Sequence, residues 1–180
     1  MIFAAGNDAK AMSGYPGAYR DYISVTAFSP DYLPAYYTNY GPGCNVAAPG
    51  GDAYISPSGS SAAQVLSTLP SELPAELGTD GADYGYMQGT SMACPHVSGV
   101  AALIVSQFGA PGFTNKQLKE KLFSTARDID SYQGPIYNGR GTYAGKIGKL
   151  VDAGAALDSG EVPPVSDLSL IHISEPTRPY

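Results

Sequence analysis

Apolar positions in the first third of the chain come in short, nearly unbroken runs closed by turn formers. IFAA (2–5) ends in Gly-Asn-Asp, YISVTAF (22–28) lies between Asp21 and Ser29-Pro30, and NVAAPGG (45–51) closes on Pro-Gly. Such runs predict buried β-strands entering turns. Residues 53–86 are rich in Ser, Gly, Pro and acids, with one apolar patch at AQVLSTL; they predict an extended surface region with a strand inside it. Residues 90–108 predict the strongest helix. VAALIVSQF (100–108) is apolar nearly all round, so burial on every side is expected, with Pro95 tolerated in the first turn. TNKQ (114–117) fits a capping box, and the helix after it sets Leu118, Leu122 and Ala126 on one face and its charges on the other. LVDAGAAL (150–157) predicts a short last helix. Strands first and helices later, with β-to-α transitions, predict an α/β layer fold.

Composition narrows the function classes. The chain has 180 residues, 43% hydrophobic and 14% charged, which suits one domain with a real core. A net charge of −6 with scattered Lys and Arg argues against a nucleic-acid surface or an anionic-membrane patch. No unbroken apolar run has the length to cross a bilayer. Cys44 and Cys94 lie far apart and form no CxxC pattern, which speaks against zinc; two free thiols are preferred over one disulfide. The opening MIFAAGND lacks a signal-peptide layout and reads as a buried strand running into a turn, so the chain is expected to be cut at this end.

Two residues stand where chemistry is feasible. Ser91, within GTSMACPHVSG (89–99), precedes the apolar helix among small residues. Unpaired N–H groups and the positive dipole end at a helix start serve an oxyanion, although an ordinary N-cap serine would look the same. Asn7, on a Gly-containing turn, offers a carboxamide N–H donor, or is simply a turn residue.

Several segments in order resemble the subtilisin-like serine peptidases, the subtilases. GTSMACPHVSGVAAL (89–103) resembles their nucleophile motif and FAAGND (3–8) their oxyanion-asparagine strand. SGYPGAYRDYISVTA (13–27) resembles the substrate-pocket loop and following strand, NYGPGCNVAAPGG (39–51) the strand ending in Ala-Pro-Gly, and GKIGKLVDAGAAL (145–157) the closing turn and helix. The resemblance implies a three-layer α/β fold with a mostly parallel sheet, of which residues 1–158 are the C-terminal portion. It implies Ser91 as nucleophile, Asn7 as side-chain donor of the oxyanion hole, and the Ser91 backbone N–H as the second donor. The family order is Asp, His, Ser, with Asp and His upstream of the asparagine, so the segments bearing them are expected to be absent. His96 is expected to be structural, because a histidine on the same helix projects beside the serine and not across its Oγ. Residues 159–167 read as a linker. LSLIHISEPTR (168–178) resembles a translated sequencing adapter, so residues 168–180, His172 included, are expected to be a non-native tail.

The resemblance further implies that Ala4, Ala5, Gly6, Gly14 and Tyr15 line the pocket for the residue before the scissile bond. Gly14 leaves the floor open to a large apolar side chain, while Asp8 at the rim either attracts a basic one or is a solvated turn carboxylate. No cofactor is required; calcium near residues 17–19 is compatible as a structural ion. Tyr15-Pro16 resembles a cis position of the family, and Met92 is an oxidation site. The partner is a peptide or protein substrate, with secretion or a cell-envelope location by resemblance alone. Two alternatives remain: a non-catalytic binding or scaffold domain of the same fold, and a different serine hydrolase. The second lacks the G-x-S-x-G elbow around Ser91.

Overall fold

A computed structural model describes residues 1–54, 60–70, 83–133 and 143–158. The expected linker and tail, 159–180, lie outside the described residues. The apolar runs become β1 (Ile2–Ala4), β2 (Ile23–Phe28) and β3 (Val46–Pro49), paired in parallel in the order β1-β2-β3. The surface region yields two strands, not one. β4 (Val65–Thr68) and β5 (Tyr84–Met87) form an antiparallel hairpin with Val65 opposite Met87. α1 (Thr90–Phe108), α2 (Asn115–Ser124), β6 (Lys149–Leu150) and α3 (Ala153–Asp158) complete the order, with β6 adding to β3 in parallel. Leu150, expected to open the last helix, belongs to β6, where Ala47 is its register partner.

β2 is buried along its whole length, Ser24 and Thr26 included, as a parallel strand covered on both faces requires. Strand geometry sends successive side chains to opposite faces. Ile23, Val25 and Ala27 join Val46 and Ala48 beneath α1, with Ala93, Val97, Ala101 and Ile104 of the helix. Phe28 and Ala47 meet Ile129, Tyr143, Ile147 and Leu150 on the other side. Thr26, buried on β2, donates its hydroxyl to the Ile147 carbonyl at 2.5 Å. The chain therefore supplies a helix layer on one face of a parallel sheet and loop segments on the other.

Four expectations about the helices are corrected. α1 is buried on one side only. Thr90, Ala93, Val97, Val100, Ala101 and Ile104 face inward, while Leu103 and Val105 are 48% and 46% exposed. Its length and mean hydropathy alone satisfy a bilayer crossing, although polar residues interrupt its apolar runs, and its inward side packs against β1, β2 and β3. Pro95 lies beyond the first turn, since the helix starts at Thr90; its ring nitrogen cannot donate to the Ser91 carbonyl, so that acceptor is free of the helical ladder. In α2 the capping box forms as expected, with Gln117 N–H to Thr114 Oγ1 at 3.3 Å and Thr114 N–H to Gln117 Oε1 at 2.9 Å. The charges do not all face outward, however. Lys121 is fully buried, its Nζ 3.9 Å from the centroid of the Phe108 ring, because a cation over a ring face with its stem packed in the core is tolerated there. Ala126 lies beyond the helix end.

Candidate active site

The site forms where the end of β1 meets the start of α1. β5 runs into Gln88 and Gly89, and Gly89 donates its N–H to the Gly50 carbonyl at 3.0 Å, fixing the helix start against the end of β3. Tyr37 braces the same corner: its hydroxyl lies 2.8 Å and 2.7 Å from the carbonyls of Gly50 and Gly51. Burial, then the nearby Asp52 carboxylate, holds that phenol well above the ordinary tyrosine range, so it remains a donor. Gln88 Oε1 accepts from the Ala53 N–H at 2.8 Å and ties down the loop after β3.

Ser91 is exposed in the first turn of α1, and no described residue bonds its Oγ. Asn7 is exposed on the turn after β1. Its neighbour across the fold is Thr90, whose backbone N–H and hydroxyl both donate to Asn7 Oδ1, at 2.9 Å and 2.7 Å. Because a backbone N–H can only donate, the oxygen of the carboxamide must face Thr90, which turns Nδ2 away from it. The Thr90 hydroxyl in turn accepts from the Gly6 N–H at 3.2 Å. A Cβ added at Gly89 would lie 3.5 Å from Asn7 Nδ2 and 3.6 Å from Ser91 N. The glycine, with φ +154°, thus leaves open a gap bordered by both donors. Met92 Sδ borders the same gap, 3.6 Å from that point.

The pocket residues divide. Gly14 donates its N–H to the Ala5 carbonyl at 2.7 Å, so the loop and the end of β1 are brought together. Ala4 and Gly6 are half-buried, Tyr15 is 73% exposed and stacks edge-on with Tyr19, but Ala5 is fully buried and presents no side chain to a ligand. Tyr15-Pro16 is cis. Asp8 is exposed beside Asn7. His96 is not brought to Ser91 Oγ: its Nδ1 donates to the Met92 carbonyl at 2.8 Å, one helical turn back. Both face a groove of about 520 Å³ between α1 and β4, lined by Leu66, Ser91, Met92, Pro95, His96 and Leu103 among others.

Sequence reading missed two residues. Thr90 counts in the sequence only as one of the small residues around Ser91, yet it anchors Asn7; a hydroxyl residue directly before a serine at a helix start is the signal for it. Asn39 had been read only as part of a strand motif, yet it is 1% exposed and its carboxamide bonds the turn that carries Asn7.

Cys44 and Cys94 are both free and half-buried. Burial pushes the Cys44 thiol up to about 12, and burial raises Cys94 too, offset in part by a hydrogen bond with Ser98. A thiol with that value is about 10⁻⁴ thiolate at pH 8. In a disulfide-exchange titration of the native chain at pH 8, Cys94 is expected to react first and Cys44 only as the chain unfolds; equal fast reaction of both overturns this ordering.

This geometry places the chain among proteins with a parallel α/β sheet whose β1 turn and α1 start share one gap. Residues 1–153 match the family model described as the subtilase family, and the chain belongs to that family. It is 36% identical to a subtilisin of Bacillus pumilus over 142 residues, 77% of this chain and 42% of that protein. It is 32% identical to a thermostable alkaline protease of Halalkalibacterium halodurans over 146 residues, 79% of this chain and 34% of that protein. Among solved structures it is similar to a protease from Pseudoalteromonas arctica, at 35% identity and TM-score 0.61 over 87% of this chain and 41% of that one. It is also similar to a lanthipeptide protease, at 25% identity and TM-score 0.67 over 87% of this chain and 49% of that one. The fold is subtilisin-like, and the chain spans less than half the length of these relatives.

Proposed function

We propose that the protein is a serine endopeptidase that cleaves peptide bonds through an acyl-enzyme on Ser91. In this reading Ser91 Oγ attacks the scissile carbonyl carbon while a general base takes its proton. The carbonyl oxygen, now negative, sits in the gap beside Gly89 and accepts from Ser91 N–H and Asn7 Nδ2. The leaving amine then receives the proton, and water repeats the sequence to release the acid. The observation that carries the reading is the double anchoring of Asn7 Oδ1 by Thr90, which leaves the Nδ2 donor free of described acceptors at the same gap as the Ser91 N–H. Donors held in place before reaction stabilise developing charge without reorganising.

His96 is not assigned as the base, because no hydrogen bond joins its ring to Ser91 Oγ among the described residues. The base and its orienting carboxylate are assigned to residues outside this chain, and residues 1–158 to the C-terminal portion of a subtilase catalytic domain. Substrates are peptides or proteins, and secretion or an envelope location follows family habit; calcium near residues 17–19 is compatible as a structural ion. The experiment is to read the coding DNA upstream of the Met1 codon, express the extended protein and add a serine-directed fluorophosphonate. Upstream Asp-Gly and His-Gly segments with labelling of Ser91 support the proposal. An extended protein that leaves Ser91 unlabelled overturns it in favour of a binding or scaffold domain.

Residues 168–180 are proposed to be a translated adapter with no contacts selected for folding. Truncation after Asp158 is therefore expected to leave helical content and solubility unchanged by circular dichroism and sedimentation. A clear loss of folded signal overturns that assignment.

A further inference from the structure

Asn7 is anchored at its side chain by Thr90, but the backbone that delivers it is an unusual turn. Gly6 has φ +108° and Ala9 φ +52°, the second a left-handed conformation that an alanine rarely holds unaided. One residue occupies the inside of that turn. Asn39 Nδ2 donates to the Ala5 carbonyl at 2.9 Å, and Asn39 Oδ1 accepts from the N–H groups of Asp8 and Lys10, each at 3.0 Å. The side chain is buried, and the fit is close: a Cβ at Gly6 would fall 2.4 Å from Asn39 Nδ2. Backbone groups before and after Asn7 are thus fastened to a single carboxamide, while no described residue bonds Asn7 through its own N–H or carbonyl.

We propose that Asn39 is a positioning residue for the oxyanion donor: it holds the turn at residues 6–10 so that Asn7 Nδ2 stands at the gap beside Gly89. The inference rests on the assignment of Asn7 as that donor. A displaced donor fails in the transition state and not in substrate binding, and misplacement of a reacting or stabilising group by an ångström costs up to about 10²-fold in rate. The turn keeps three backbone–backbone bonds that do not involve the Asn39 side chain, so substitution leaves its path in place and loosens its interior. These are Asn39 N–H to the Gly6 carbonyl at 3.0 Å, Ala9 N–H to the Tyr37 carbonyl at 2.8 Å, and Tyr40 N–H to the Lys10 carbonyl at 2.9 Å.

The test is a double-mutant cycle in the extended protein, with kcat counted per site titrated by a fluorophosphonate, so that unfolded molecules do not enter. Asn39→Ala is expected to lower kcat by about 10–10²-fold with KM within about twofold. In an Asn7→Ala background the same substitution is expected to change kcat by less than about threefold, because the donor it positions is gone. Affinity for a peptide boronic acid, which forms a tetrahedral adduct on the serine, falls in parallel with kcat, while affinity for a product peptide stays unchanged. Asn39→Asp, of the same size but unable to donate to Ala5, carries the same comparison if Asn39→Ala leaves no titratable sites. Multiplicative losses in the two backgrounds, or a raised KM with unchanged kcat, overturn the proposal while leaving Ser91 labelling intact. An unsubstituted protein without labelling or hydrolysis overturns the underlying assignment and the positioning role together.

Discussion

In the extended protein, Ser91→Ala is expected to abolish peptide hydrolysis, and Asn7→Ala to lower kcat by about 10²–10³ with KM nearly unchanged, a magnitude known from removing this type of donor in subtilisin. The two losses differ in kind. Without the Ser91 hydroxyl no acyl-enzyme forms. Without Asn7 the acyl-enzyme still forms, but the developing oxyanion keeps only the Ser91 N–H. Thr90 makes a sharper substitution available. Asn7→Asp preserves an acceptor for both Thr90 donors, which are 2.9 Å and 2.7 Å from Oδ1 in the parent, and so keeps the side chain anchored. It replaces Nδ2 by an oxygen facing the gap, where negative charge develops. Asn7→Asp is therefore expected to lose at least as much kcat as Asn7→Ala. Steady-state hydrolysis of a fluorogenic peptide measures all three, and normal turnover by Ser91→Ala removes the assigned nucleophile. An aspartate variant that retains parental kcat shows that Nδ2 has no part in the reaction.

The elements were legible in the sequence where one physical demand dominated. β2 is buried on both faces, and a run of small, β-branched and apolar residues without a charge suits that place. α1 matched its expected bounds from Thr90 to Phe108, since a glycine starts it and another follows it. Ser91 and Asn7, the residues proposed for the chemistry, could be singled out because each stands in a local motif. What was not legible depends on residues brought together across the chain. Thr90 and Asn7 are 83 positions apart, and Asn39 lies 29 to 34 positions from the groups it bonds. No periodicity reports such pairs. The half-exposed state of α1 was hidden for a related reason. Apolar residues on all sides state that a helix is meant to be covered, and say nothing about which segment covers it. Lys121 is the opposite case, a charge whose burial is set by the Phe108 ring rather than by helical phase.

The 180-residue chain by itself is expected to be catalytically inert and to self-associate. Its chemistry lacks a base in place: among the described residues His96 is the sole histidine, and no hydrogen bond joins its ring to Ser91 Oγ. Site binding and an oxyanion hole without the triad leave only about 10³–10⁴ over the water reaction, and that requires an intact cleft. The surface argues the structural half. Leu103 at 48% exposure continues the apolar side of α1 along the groove, and Leu66 at 54% and Tyr86 at 47% extend it onto the β4–β5 hairpin. Among the described residues β1 pairs with β2 on one side only, and no described strand pairs with its other edge. An apolar patch next to an open strand edge favours association with a second copy. Light scattering against concentration is expected to show growth that Leu103→Gln slows, circular dichroism a broad melt, and a fluorophosphonate no stoichiometric labelling. A monomer with a cooperative melt overturns the structural half. Stoichiometric labelling of Ser91 overturns the chemical half, because it requires a base that this chain supplies for itself.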